Sequence, residues 1–337
     1  MRLGLSAIEP SADRLGAELI VALRRHGQVA TRGLGGERMA ATGFERVCPL
    51  APPAMGLWEV LAHLGSIRRQ RAALLDHLDG VDALVCIDAP DFHMPVATRA
   101  RRAGLRTVGW VSPQLWAWRP GRRHAVALAY DTLLCLFDFE PALYAGTGLD
   151  ARFVGHPAVD RLVKRRAEAG VVAIFPGSRE SELSRHLQPF LEATRGYRTV
   201  LVAEGSASLR ARLRPDPRVH VVSPEEAMAR CERALSKSGT VTLELALNGV
   251  PAVVAHRVHP LTYAAGRLLV RGIRFLALPN LLSDRAVYRE FVQSFSAEAL
   301  RDALGAAVEP PSAELRARVG PPGVVDRVAA AILTGWG

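Results

Sequence analysis

The sequence predicts an α/β protein built as two Rossmann-like, doubly wound parallel-sheet domains facing a cleft. Three observations carry that expectation. Short, unbroken apolar runs bounded by turns recur along all 337 residues, the pattern of strands covered on both faces. Amphipathic stretches of helical period fill the gaps between them, which is the alternation of a doubly wound sheet. The alternation also restarts near the middle of a chain that is long for one hydrophobic core.

The first run, 2–8, opens a strand almost at once, too early for a signal peptide. Further strands are expected at 83–88, 106–111, 131–136, 171–175, 199–203, 218–222 and 251–255, with a short one at 233–235. Helices are expected over 14–25, 57–75, 95–103 and 240–248. A polar, charge-dense helix is expected over 160–170, with the domain junction near Gly155-His-Pro157. The first domain then spans 1–157 and the second 158–309. Glu309-Pro-Pro-Ser312 interrupts the chain before a last helix near 323–334.

The net charge of +10 asks for acidic partners such as phosphorylated substrates or an anionic membrane surface. Arginine supplies nearly all of it, since Lys164 and Lys237 are the two lysines. No helix-turn-helix, zinc-finger or RNA-recognition signature is present, so nucleic acid is not an expected partner. Cys48, Cys86, Cys135 and Cys231 are widely spaced with no CxxC pair, which predicts buried free thiols, no metal site and a cytoplasmic protein. No apolar run reaches the roughly 20 residues of a membrane span. The expectation is a soluble or peripheral protein.

In a doubly wound fold, ligands meet the carboxyl ends of the strands, so chemistry is sought just after each one. Phe175-Pro-Gly-Ser-Arg-Glu-Ser-Glu182 ends a strand in a Pro-Gly turn, with Ser178 and Arg179 where a helix begins. Backbone N–H groups there, beside a guanidinium, suit a diphosphate. An ordinary strand-to-helix turn has the same sequence. Ser236-Lys-Ser-Gly-Thr240 repeats the arrangement: Ser238, Gly239 and Thr240 offer hydroxyls and N–H groups, and Glu244, one turn on, is in reach of ribose hydroxyls. Ser/Thr helix capping reads the same way. Two such turns in one half-chain favour a nucleoside diphosphate, although the Walker spacing is absent.

In the first half, Cys86-Ile-Asp-Ala-Pro-Asp-Phe92 closes an apolar strand with two acids. Asp88 is the candidate general base because it comes first after the strand. Asp91 is placed to cap the next helix, and both acids also read as turn formers. Ser112–Gly121 brings Trp116 and Trp118 together with Arg119, Arg122 and Arg123, suited to a sugar ring beside phosphate or to a packed loop. Met55–Leu64 carries Leu57, Val60, Leu61 and Leu64 at helical spacing, with Trp58 alongside and Arg68, Arg69 and Arg71 beyond. That stripe suits a helix touching lipid or one facing a core.

Together these segments resemble the lipid-A-disaccharide synthase family. The matching stretches in the first half are Glu9-Pro-Ser11 with Asp13, Gly35-Gly-Glu-Arg-Met39, Met55-Gly56 with Glu59-Val60, Ile87-Asp-Ala-Pro-Asp-Phe92, Val111-Ser-Pro113 with Trp116-Ala-Trp-Arg119, and Gly155-His-Pro157. Pro176-Gly-Ser-Arg179 with Glu182, Ser238-Gly-Thr240 with Leu243-Glu244, and Leu278-Pro-Asn-Leu-Leu282 follow in family order. The resemblance implies a B-type glycosyltransferase fold and an inverting, metal-independent hexosyl transfer without a cofactor. The unit transferred is 2,3-diacylglucosamine, from UDP to the 6-hydroxyl of 2,3-diacylglucosamine 1-phosphate.

The resemblance further implies that Asp88 is the base and that Arg179, Ser178, Ser238, Gly239, Thr240, Glu244 and Asn280 hold UDP. Glu9, Ser11, Asp13, Met55, Leu57, Trp58, Leu61, Trp116 and Arg119 would meet the acceptor or its acyl chains. A C-terminal helix of about 310–337 would return to the first domain. The implied place is the inner face of a Gram-negative inner membrane, with a homodimer left open. Ile8 and Ala12 stand where the family's first loop has glycines and are expected to narrow the cleft where the acceptor sits, Asp138 replaces a usual proline, and His256 stands where tyrosine is common. A UDP-sugar transferase with another acceptor and a catalytically weak UDP-sugar- or lipid-binding paralogue are the alternative readings.

Overall fold

The apolar runs become the central strands of two parallel sheets. A computed structural model describes residues 1–50, 57–116, 120–205, 208–260, 263 and 274–334, and the side chains at 57–64 and 120 lie outside that description. The chain divides into one unit of Met1–Pro157 with Gly320–Gly337 and a second of Ala158–Val319.

In the first unit the strands are β1 Arg2–Ser6, β2 Ala30–Leu34, β3 Glu45–Arg46, β4 Ala83–Ile87, β5 Arg106–Trp110, β6 Thr132–Cys135 and β7 Asp150–Phe153. They lie parallel in the order β3-β2-β1-β4-β5-β6-β7. The direction of winding therefore reverses between β1 and β4, where this topology opens a crevice at the carboxyl ends. Helices α1 (Pro10–Arg25), α2 (Glu37–Ala40), α3 (Leu57–Asp76), α4 (Pro90–Arg102) and α5 (Arg123–Ala129) complete the main body. β4 is buried at all five positions, as expected of a strand with both faces covered.

In the second unit β8 (Val171–Phe175), β9 (Thr199–Ala203), β10 (Val219–Val222), β11 (Arg233–Lys237), β12 (Ala252–His256) and β13 (Arg289–Val292) form a parallel sheet. Its order, β10-β9-β8-β11-β12-β13, reverses between β8 and β11. The helices are α6 (Glu180–Ala193), α7 (Leu209–Arg212), α8 (Pro224–Arg230), α9 (Thr240–Leu247), α10 (Leu278–Ser283), α11 (Ala297–Gly305) and α12 (Ser312–Val319). A core of Val172, Ile174, Leu187, Phe190, Val202 and Leu235 joins α6 to the sheet.

Helix α13 (Val324–Thr334) packs on α1 of the first unit. Arg327 Nε donates to the Val154 carbonyl at 2.9 Å, and Arg25 pairs with Asp326 at 3.0 Å. Residues 310–319, grouped with this helix from the sequence, stay in the second unit, and the return begins at Gly320.

Two expectations about elements change. The stretch 162–168 forms neither helix nor strand, where a helix is expected. Val163 N–H donates to Asn248 Oδ1 at 2.8 Å, and the Arg165 guanidinium binds the carbonyls of Gly249 and Cys231. These ties within the second unit replace the i→i−4 bonds of a helix. β2, β3, β7 and β13 add to the expected strands; Arg, Gly, Asp and Glu interrupt their apolar pattern. Cys86, Cys135 and Cys231 are buried free thiols, while Cys48 is half-buried.

Candidate active site

Ser6 ends β1 and Asp88 follows β4, so they flank the reversal in the first sheet. Asp88 and Ala89 both have left-handed backbones, φ 57° and 45°, and Val111, after β5, has φ 81°. Such conformations cost roughly 1–3 kcal/mol each in residues with a side chain and cluster at functional sites. Asp88 N–H donates to the Trp110 carbonyl at 2.9 Å, and Asp88 Oδ1 accepts the Ala89 N–H at 2.7 Å. Burial pushes the Asp88 carboxyl above its ordinary pKa, against the lowering effect of that N–H.

His93, fully buried on α4, supports this turn. Its Nδ1 lies 2.6 Å from the Asp88 carbonyl and its Nε2 lies 2.7 Å from Ser6 Oγ. Burial pulls its pKa down to about 4, so the ring is neutral at neutral pH. A carbonyl only accepts; Nδ1 therefore carries the hydrogen and Nε2 accepts from the Ser6 hydroxyl. Nothing in the sequence sets His93 apart; strand order and packing bring it to Asp88 and Ser6.

Asp91 is exposed and pairs with Arg122 at 2.8 Å. Arg71 binds the carbonyls of Asp91 and Phe92 at 2.5 and 3.1 Å, which pins the start of α4. In the first loop, Asp13 is turned inward. Its carboxylate accepts N–H groups from Gly36, Arg38 and Met39 at 2.7, 3.0 and 3.1 Å. A Cβ on Gly36 would stand 2.6 Å from Asp13 Oδ2 and one on Gly35 2.7 Å from Met39 Sδ, which explains the Gly35-Gly36 pair. Asp13 thus anchors α2 instead of presenting its carboxylate to an acceptor.

Ser11 is exposed and Glu9 half-buried at the amino end of α1. Ala12 lies inside that helix with its methyl fully buried, and Ile8 packs on the core with Leu84 and Phe92. The Ala12 methyl, the group a glycine would lack, thus points into the protein. Met55 and Arg119 lie outside the described residues. So do the side chains of Leu57, Trp58 and Leu61, whose backbone begins α3.

After β5 and β6 an aromatic cluster forms. Trp116 meets Phe139 edge-on at 5.5 Å, Phe139 stacks with Phe137 at 5.8 Å, and Phe137 stacks with His156 at 5.6 Å. Beneath it Glu140 is buried and accepts the N–H groups of Leu136 and Phe137 at 2.9 and 3.0 Å. Burial outweighs those bonds and raises its pKa to about 7. His156 lies in the Gly155-His-Pro157 motif without a role of its own, and Glu140 stands out by nothing in the sequence; the fold brings both to this aromatic cluster.

In the second unit, the loops after β8 and β11 stand side by side, because Phe175 pairs with Ser236. Ser178 and Arg179 present their N–H groups to Glu182 Oε2 at 3.1 and 3.3 Å, the carboxylate half of a capping box at the start of α6. Gly177 has φ 110°, and a Cβ there would lie 2.4 Å from that oxygen. The Arg179 side chain is 64% exposed and its Nη1 is 3.8 Å from Glu182 Oε1. Lys237 Nζ reaches the same oxygen at 2.8 Å. Burial raises the Glu182 pKa, but Lys237 and the two N–H groups overcome it and hold the carboxyl below its ordinary value.

Ser238 Oγ donates to the Leu276 carbonyl at 3.1 Å, and Gly239 is the N-cap of α9, which Thr240 begins. The first N–H groups of a helix have no acceptor within it and carry its positive end. Glu244, one turn on, lies 3.7 Å from Arg161. Asn280, expected to hold UDP, is instead fully buried. Its Nδ2 donates to the Tyr288 carbonyl and Glu290 Oε1, and its Oδ1 accepts the Tyr288 N–H, all at 2.7 Å. Glu290 in turn accepts the N–H groups of Leu276 and Ala277 at 2.9 Å. Asn280 therefore shapes the loop that receives Ser238.

Comparison with known proteins gives this arrangement its context. A family model for lipid-A-disaccharide synthetase matches residues 3–309. The lipid-A-disaccharide synthase of Azotobacter vinelandii is 39% identical, with 90% of this chain and 88% of that protein covered. That of Geobacter metallireducens is 34% identical, covering 98% and 96%. Among solved structures, the calicheamicin glycosyltransferase CalG4 superposes with a TM-score of 0.62 at 16% identity, over 100% of this chain and 99% of that one. That likeness establishes the glycosyltransferase fold alone. Because the family match runs through both units and includes the loops at both sheet reversals, the chain belongs to the lipid-A-disaccharide synthetase family.

Proposed function

We infer that the chain is the hexosyltransferase that moves 2,3-diacylglucosamine from UDP to 2,3-diacylglucosamine 1-phosphate, giving a β-1,6-linked disaccharide and UDP for lipid A biosynthesis. The observation that carries this is the family match over residues 3–309. Its motif residues Asp88, Arg179 and Ser238–Thr240 follow the strands that flank the two sheet reversals.

In this reading the first unit activates the acceptor and the second carries the donor. Asp88 takes the proton of the acceptor 6-hydroxyl as its oxygen attacks the anomeric carbon. The bond from that carbon to the diphosphate oxygen breaks, the electron pair leaves with UDP, and the anomeric centre inverts. A carboxylate whose pKa burial has raised is a stronger base than an exposed one. Ser178, Arg179 and the N–H groups at Gly239 and Thr240 meet the charge that grows on the departing diphosphate. Glu244 holds the ribose, and Asn280 acts by positioning. Ser11, Glu9 and the Trp116 cluster face the acceptor side, with Asp13 supporting their loop.

The test is direct. Purified protein is given UDP-diacylglucosamine and the monosaccharide phosphate, and disaccharide and UDP are measured. Equal yields of both support the reading. UDP release without disaccharide sinks it in favour of another acceptor, and no turnover leaves a binding paralogue.

We place the enzyme at the inner face of the inner membrane. Support comes from the net charge of +10 and from Arg68 and Arg69, exposed along α3 beyond the apolar stripe. Among the described residues no helix is long and apolar enough to cross a membrane. Replacing Leu57, Trp58 and Leu61 with serine should release the folded protein from anionic vesicles in a sedimentation assay. Unchanged binding, or unfolding, would assign the stripe elsewhere.

A further inference from the structure

We propose that Lys237 is a second cationic contact for the donor's diphosphate, held in position by Glu182. The proposal rests on the reading that UDP binds at the loops after β8 and β11.

Lys237 is the last residue of β11 and directly precedes Ser238. Its Nζ lies 3.5 Å from where a Cβ on Gly239 would stand, so the ammonium sits over the first residue of α9's amino end. A cation placed there is repelled by the helix dipole unless an anion joins it. Glu182 supplies one negative charge at 2.8 Å. The same carboxylate also serves the Ser178 and Arg179 N–H groups and lies 3.8 Å from the Arg179 guanidinium.

One carboxylate is shared by two cations at two helix starts. Lys237 and Arg179 carry one positive charge each, and the amino ends of α6 and α9 add about half a charge each. Glu182 offsets only one of these. The remaining acids of these loops are matched elsewhere: Glu180 with Arg212 and Ser208, and Glu204 with Arg210. The capping box at α6 needs Glu182 but does not need a lysine. An ammonium has three donors, and Glu182 takes one; among the described residues the others are unassigned. The side chain remains 19% exposed, so a ligand can reach it.

One of the chain's two lysines is thus fixed between two phosphate-binding turns. Glu182 joins those turns: it fastens the Pro176–Arg179 loop through backbone N–H groups and aims Lys237 from the neighbouring strand. A compact ammonium is a point charge for phosphate oxygens, whereas Arg179 supplies a planar fork.

Calorimetric titration of the full chain with UDP, UMP and uridine tests the assignment. Lys237→Met should weaken UDP by about ten- to a hundredfold, the size of one charge-assisted contact. It should weaken UMP less and leave uridine unchanged, and Lys237→Arg should recover most of the loss. Equal losses for uridine and UDP would show a structural role and overturn the proposal. UDP binding unchanged in Lys237→Met but weakened in Arg179→Ala would overturn it while sparing the donor site. UDP binding unchanged in both variants would remove the donor site itself.

Discussion

The imidazole Nδ1 of His93 stands 2.6 Å from the main-chain carbonyl of Asp88, which follows β4 in a left-handed conformation. A neutral ring, fixed at its other nitrogen by Ser6, thereby holds two consecutive strained residues at the reversal of the sheet. His93→Ala should lower kcat by about tenfold to a hundredfold, since misplacement of a catalytic group by an ångström costs that much. KM should change little, and His93→Asn, which keeps an N–H donor, should retain more activity. Equal losses in the two variants would mean that the hydrogen bond to Asp88 is not what matters.

Asp88→Asn removes the base without changing the shape of the turn. Its kcat should fall by roughly 10²–10⁴, with UDP affinity unchanged by calorimetry. The wild-type rate should drop as pH falls through the raised pKa of Asp88, because a protonated carboxyl cannot accept the hydroxyl proton. That acid limb should vanish in the variant. If it persists, the base lies elsewhere.

Glu140 predicts a pH-dependent stability. Burial raises its pKa from 4.5 to about 7 in the folded protein, so the folded state binds the proton more tightly than the unfolded chain. The resulting stabilisation is complete below about pH 4.5 and is lost as pH rises through about 7, amounting to about 3 kcal/mol. His93 and His186, held near 4 by burial, act in the opposite direction, so the difference from Glu140→Gln is the useful readout. Wild type minus variant should decline between pH 5 and pH 8 in denaturant titrations. A difference that stays flat rejects the assignment.

Asn280→Ala breaks three buried hydrogen bonds and leaves Glu290 without its amide partner. The expected cost is about 2–4 kcal/mol, read as a lower Tm. Added UDP should still raise the Tm of the variant. Loss of UDP binding at unchanged Tm would instead mean that Asn280 touches the nucleotide.

How much of this could be read in advance depended on where each interaction lies along the chain. Apolar runs such as Ala83–Ile87 and Val171–Phe175 announce buried parallel strands, because both faces must exclude water. The turns at Ser178–Arg179 and Ser238–Thr240 were legible for a similar reason, since a strand end, small residues and a helix start are neighbours in sequence. The stretch 162–168 was not, because its conformation is set by Asn248, Gly249 and Cys231, far along the chain.

By itself, then, the sequence determined the fold class, the family and the loops where chemistry is sought, since these rest on local periodicity and contiguous motifs. Tertiary structure decided the duties of individual side chains. It turned Asp13 onto α2, buried Asn280 beneath its loop, brought His93 to Asp88 and set Lys237 against Glu182. Each of those duties is a hydrogen bond or ion pair whose partner is chosen by strand order and packing. A polar side chain of suitable type is visible in one dimension; its partner becomes visible only when the sheet brings distant segments together.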